Sequence, residues 1–197
     1  MKQLFTHVVL AGFLMMGSLS VWASPETEAL VRKNTNEVLE ALKADSSQVY
    51  ALVNEILLPH FDFERMSKLV LSKHWRRTTE DQRKRFANEF RGLLVRTYSS
   101  ALVEAAGKVR KIDYSSKDKK KRNRLQSIVY TKVYQRGKPK PIEANYDMYY
   151  HDDKWQVYNV TVGGVSLVTN YRTEFSNDIK KIGVEGLINK IKNQNSK

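Results

Sequence analysis

The hydrophobic period of this chain changes at Gly107 and does not change back until Ser166. Upstream, apolar residues recur every three to four positions; downstream, they alternate. The upstream pattern is clearest after Thr79-Glu80-Asp81-Gln82, which has the form of a capping box. Phe86, Phe90, Leu93, Leu94, Thr97, Tyr98, Ala101, Leu102 and Ala105 then make one wide stripe that stops at Gly107. The spacing predicts a helix over Glu80–Ala106, roughly 40 Å long at 1.5 Å per residue. Such a helix can span a whole domain.

Around it the chain divides cleanly. Ser24-Pro25 reads as a helix start, and Leu30, Val31, Asn34, Val38 and Leu42 carry helical spacing to Ala44. A second helix is expected from Ser47 to just before Pro59, and Asp62 caps a third bearing Phe63, Met66, Leu69 and Val70. Leu125–Tyr134, Pro141–Tyr150 and Lys154–Val162 read as strands, with turns at Gly137-Lys138-Pro139 and His151-Asp152-Asp153. Val109–Tyr114 would add an edge strand, and the lysine-rich Tyr114–Arg124 reads as a polar connection. Ser166–Ile179 and Val184–Lys192 return to helix on either side of Gly183.

Short turns between long strands imply an antiparallel meander. The expected class is therefore α+β: a helical lobe (24–106 and 166–192) packed on a twisted antiparallel sheet of about four strands (109–162). Apolar residues alternate onto both faces of these strands, which predicts cover on both sides. A long aromatic helix over such a sheet could enclose more apolar surface than protein atoms fill.

Residues 1–23 have their own pattern. Lys2 precedes an apolar run from Val8 to Leu19, and Val21-Trp22-Ala23 ends in a small residue, which reads as a cleaved secretory leader. The run is too short for a confident membrane anchor. Residues 24–197 are then expected to be one exported domain. The formal charge is +13 for the full sequence, and loss of Lys2 with the leader leaves +12. In the cytosol such a charge would point to nucleic acid. Export disfavours that partner and leaves lipid head groups, acidic protein surfaces or simple solubility as its use. With Cys 0, disulfides, thiolate nucleophiles and cysteine metal sites are all excluded.

A search for chemistry finds no catalytic set. His60, His74 and His151 are far apart and lack metal-ligand spacing, so no metal site is expected. Gly164-Val165-Ser166-Leu167-Val168 lacks the second glycine of a nucleophile elbow, and Ser166 is better explained as a helix cap. Asp152-Asp153 belongs to a turn rather than a carboxylate pair, and no glycine-rich phosphate loop is present. The chain reads as a non-enzyme with no cofactor.

Several segments together resemble one family. They are Val53–Phe63 (VNEILLPHFDF), Met66–Leu71, Trp75–Arg83 (WRRTTEDQR) and Phe86–Tyr98 (FANEFRGLLVRTY). Trp155–Val160, Gly164–Val168, Tyr171-Arg172 and Gly183–Ile188 follow in order. This set is similar to the MlaC, or toluene-tolerance, family of periplasmic phospholipid-transfer proteins, and it covers about Leu30 to Lys192.

The resemblance implies a deep apolar pocket between helices and sheet that holds phospholipid acyl chains, with the head group at its mouth. It also implies a periplasmic carrier that helps maintain outer-membrane lipid asymmetry. The partners implied are an outer-membrane lipoprotein–porin complex and an inner-membrane transporter with a hexameric ring protein; a monomer is expected. On the faces counted above, Met66, Val70, Phe90, Leu94, Tyr98 and Leu102 would form one wall. Val129, Tyr146, Met148, Val160 and Val162 would come from the sheet, with Leu167, Val168 and Tyr171 at the mouth. Lys117, Lys119, Lys120, Lys121 and Arg122 would meet acidic partners or anionic membrane. The alternative is a small-ligand module, enzymatic or not, on a cone-shaped α+β scaffold.

Overall fold

The computed structural model describes residues 26–121 and 124–196. The leader at 1–23, the Ser24-Pro25 helix start and Arg122 lie outside the described residues. Helix α1 spans Glu26–Ala44. The expected second helix is broken into pieces: a 3-10 turn at Ser46–Gln48, one α turn at Val49–Leu52 (α2), a π turn at Val53–Leu57 and a 3-10 turn at Leu58–His60. Pro59 sits in that last turn.

Asp62 caps α3 (Phe63–Leu71), its carboxylate accepting from Arg65 N at 2.7 Å. Helix α4 runs over Glu80–Ala106 behind the predicted capping box. Thr79 Oγ1 accepts from Gln82 N, and Gln82 Oε1 accepts from Thr79 N, each at 3.1 Å. Thr79→Ala is expected to lower stability by about 0.5–2 kcal/mol. Urea unfolding should register this as an earlier midpoint at unchanged slope.

Five antiparallel strands follow in sequence order: β1 Val109–Lys121, β2 Arg124–Gln135, β3 Ile142–His151, β4 Lys154–Val162 and the two-residue β5 Val165–Ser166. The expected meander is present, with one correction. Tyr114 to Lys121 is not a connection but the second half of β1, paired as far as Lys121↔Arg124. Its neighbour β2 supplies an apolar partner such as Ile128 opposite Lys117, so the ladder continues although the lysines contribute no apolar alternation.

The β3–β4 turn holds Asp152 and Asp153 at φ 48° and 56°, the left-handed pair that suits a two-residue hairpin. Gly163 (φ 56°) and Gly164 (φ 83°) turn the chain into β5. Helix α5 (Leu167–Asn195) starts at Ser166, whose hydroxyl accepts from Thr169 N, and breaks at Gly183 (φ 70°).

Helix α1 packs on the inner face of the sheet through Val31, and Arg65 of α3 lies over Tyr149 and Tyr158 on the outer one. Register places Ile112, Tyr114, Val129, Tyr146, Met148, Val157 and Val160 on that inner face. The expectation of two covered faces needs correction. On the outer face Tyr149 is buried beneath Arg65 of α3, but Tyr130 is exposed and Lys111, Lys117 and Lys132 alternate around it. Tyrosine tolerates such a surface because its ring end is polar.

Candidate functional site

Three apolar clusters make up the core. The first joins α3, α4 and α5 through Met66, Val70, Phe86, Phe90, Leu94, Val168, Tyr171 and Phe175. The second joins α1, α2, the π turn and the C-terminal half of α4, with Val38, Leu42, Val53, Val95 and Ala106 fully buried. The third holds α1 on the sheet through Val31, Val129, Met148, Trp155, Val157 and Val160. Helix α4 connects the first two clusters, α1 the last two, and Phe61 packs against the first and third. The sheet is met mainly by α1, α3 and α5, whereas α4 packs mainly on other helices.

That division leaves the apolar interior incompletely closed. Tyr98 and Leu102 on α4, Ile56 and Leu57 on the π turn, Ile112 and Tyr114 on β1, Tyr146 on β3 and Leu167 at the start of α5 are all only partly buried. Tyr146 is the most telling of these. Burial, and then the neighbouring Tyr114, push its phenol up to about 12. Part of its surface stays accessible.

The residues expected to bind lipid fall into three groups. Met66, Val70, Phe90, Leu94, Val168 and Tyr171 sit in the helical cluster with their surfaces taken up by protein, Phe90 being 0% exposed. Val129, Met148 and Val160 are buried beneath α1, and Tyr98, Leu102, Tyr146 and Leu167 keep accessible surface. Val162 is 41% exposed at the end of the sheet. Val168 and Tyr171, expected at the mouth, are core residues instead, because the first turn of α5 tucks under α4. Ile56, Leu57, Ile112 and Tyr114 were not expected; a π turn has no sequence signature, and Ile112 and Tyr114 read only as an edge strand. Lys117, Lys119, Lys120 and Lys121 stand on β1, Lys117 exposed, and Arg122 lies outside the described residues.

Polar chemistry gathers elsewhere. A surface cleft of about 580 Å³ is lined by Asp62, Glu64, Arg65, Lys68, Leu69, Tyr149, Tyr150 and His151, and another of about 600 Å³ by Tyr50, Asn54, Asn88, Arg91, Gly92, Val95, Arg96 and Asn195. In the first, burial and the hydrogen bond to Asp62 push the Tyr149 phenol up to about 12. Burial and then neighbouring lysines hold His60 and His74 below the usual histidine range. Among the described residues, no group of three His, Asp or Glu stands close enough to hold a metal ion. No described helix is long and apolar enough to cross a membrane.

This arrangement defines a class: α+β domains whose helices pack on an open antiparallel sheet. The chain belongs to the MlaC family, the MlaC protein family matching residues 32–193. It is 27% identical to the toluene tolerance protein ttg2D of Pseudomonas putida, covering 89% of this chain and 81% of that one. It is 23% identical to the intermembrane phospholipid transport system binding protein MlaC of Haemophilus influenzae, covering 97% and 92%. A solved phospholipid-binding protein from Ralstonia solanacearum, in complex with a phospholipid, superposes with a TM-score of 0.73. That match is 26% identical and covers 88% of this chain and 98% of the other.

Proposed function

We propose that this protein is a periplasmic phospholipid carrier that holds acyl chains between α4 and the inner face of the sheet. The observation that carries the reading is the phospholipid held by the Ralstonia relative, whose fold matches over nearly the whole of both chains. The partly buried apolar side chains around Tyr146 support the same reading. The carrier exchanges lipid between an outer-membrane lipoprotein–porin complex and an inner-membrane transporter with a hexameric ring protein, acting as a monomer and so maintaining lipid asymmetry. Its leader directs it to the periplasm.

Burying one methylene group is worth about 0.8 kcal/mol, so two acyl chains represent on the order of 20–25 kcal/mol of exposure to water avoided. The task needs an apolar cavity and no acid, base or nucleophile. Tyr98, Leu102, Tyr146 and Leu167 line the cavity in this reading, together with Ile56, Leu57, Ile112 and Tyr114. The buried Met66, Val70, Phe90, Leu94, Val129, Met148, Val160, Val168 and Tyr171 support that lining from behind in this reading.

Organic extraction of purified protein, followed by mass spectrometry, should recover close to one phospholipid per chain. Leu102→Trp should reduce that recovery by at least about half while the protein stays folded, because an indole occupies part of the volume of a chain. A clean extract from the unmodified protein would end the reading. A small polar ligand in its place would support the small-ligand module instead.

A further inference from the structure

The inner face of the sheet does not end where the core ends. Along β3, Met148 is fully buried, Tyr146 and Ala144 are partly so, and Ile142 is 40% exposed. Along β4, Val157 and Val160 are buried while Val162 is 41% exposed. Register pairs Ala144 with Val162, Val162 with Val165 (56% exposed) and Ile142 with Val133. Gly163 N donates to Glu143 O at 2.8 Å, which ties the glycine turn to the start of β3. The result is one continuous aliphatic lip leading from the interior to the surface.

The opposite end of the sheet also exposes apolar residues, Leu125 and Tyr150. There the first turn of α1 seals the way in. Thr27 and Ser127, both buried, share a hydrogen bond of 2.9 Å, and Trp155 Nε1 donates to Glu26 at 3.1 Å. No comparable polar seal crosses the Ile142–Val162 end among the described residues.

Cations flank the open lip on its β1–β3 side. The β2–β3 turn carries Arg136, Lys138 and Lys140, all exposed, and Arg110 is exposed at the start of β1. Arg136 N donates to Lys108 O at 2.8 Å, so these two segments meet at the same end. Of the nearby carboxylates, Glu104 is paired with Lys108 and Asp113 with Lys111, leaving Glu143 at the lip itself. An aliphatic rim flanked by lysine and arginine complements a surface of phosphate groups over hydrocarbon.

The geometry points to this end of the sheet as a membrane-contact surface: Val133, Ile142, Val162 and Val165 touch the hydrocarbon boundary of a phospholipid bilayer while Arg136, Lys138 and Lys140 meet its phosphates. This rests on the carrier reading, since the lip opens the lipid-holding interior toward the bilayer. It also moves the contact away from Lys117–Lys121, which stand at the sealed end.

The test uses full-length mature protein and vesicles of phosphatidylglycerol mixed with phosphatidylcholine. Near an anionic surface each lysine contributes about a fivefold gain in binding. Lys138→Glu with Lys140→Glu should therefore weaken vesicle binding at least about 25-fold, and Ile142→Asp with Val165→Asp should abolish it. Both variants should retain extracted phospholipid and melt within a few degrees of the parent. Lys117→Glu with Lys119→Glu makes the same charge change at the sealed end. Equal weakening by both reversals would mean diffuse attraction and would overturn the proposal. A tryptophan reporter decides independently of charge: Val165→Trp fluorescence should shift to the blue on vesicles, while Tyr50→Trp, at a site 51% exposed on α2, should not. No shift at Val165→Trp would overturn the membrane contact and leave the carrier reading standing. If the parent itself yields no phospholipid on extraction, it is the carrier reading that fails.

Discussion

Phe90→Ala is expected to lower the free energy of unfolding by about 3–5 kcal/mol, a large share of what holds a domain together. The Phe90 ring stacks on Phe86 with centroids 5.7 Å apart. It also meets Tyr171 and Phe175 edge-on, at 5.2 and 6.0 Å. Nothing can move in to replace it without breaking a second aromatic contact, so most of the vacated volume would remain as a cavity. Urea unfolding followed by circular dichroism would measure the loss. Phospholipid per folded molecule should meanwhile stay the same, because this part of α4 is packed by protein and not by cargo. A Phe90→Ala protein of unchanged stability but depleted lipid would place Phe90 on the cavity wall after all.

The second large effect concerns the cargo. Anything bound only by the folded state stabilises it, by about 2.7 kcal/mol when ligand is at a hundred times its dissociation constant. For a domain of this size each kcal/mol moves Tm by roughly 2–4 °C, so stripping the lipid should lower Tm by about 5–10 °C. Calorimetry before and after delipidation, with phospholipid added back, measures this directly. Identical melting of both forms would mean that the interior is stable empty and that Tyr98, Leu102 and Tyr146 border no lipid.

Most of the fold could be read from residue order because each local signal agrees with its tertiary use. Thr79 and Gln82 cap α4 as their spacing requires, Asp62 caps α3, Ser166 caps α5, and the paired aspartates make the β3–β4 turn. The exceptions share a cause. Tyr114–Lys121 looked like a connection because it is rich in lysine and lacks apolar alternation, and its strand character comes from pairing with β2. The segment from Ser46 to His60 kept helical spacing but changes helix type three times, since a π turn has the same sequence pattern as an α turn.

The site was less legible for a different reason. Periodicity says that Phe90 and Tyr146 both point inward, but not what stands opposite. Phe90 meets three aromatic rings, whereas Tyr146 keeps accessible surface deep in the molecule. Only the arrangement of α1, α4 and α5 around the sheet separates a packed neighbour from an empty one.

The strand order bears on how this molecule is built. Every strand hydrogen-bonds to the one before it, so the meander can zip up hairpin by hairpin with little loop-closure cost. The helical cluster is the reverse: α5 comes last in the chain and must dock on α3 and α4, about a hundred residues earlier. During synthesis the sheet is thus complete before the last helix arrives to dock beside it. Until then the faces that α5 covers on α3 and α4 stand open.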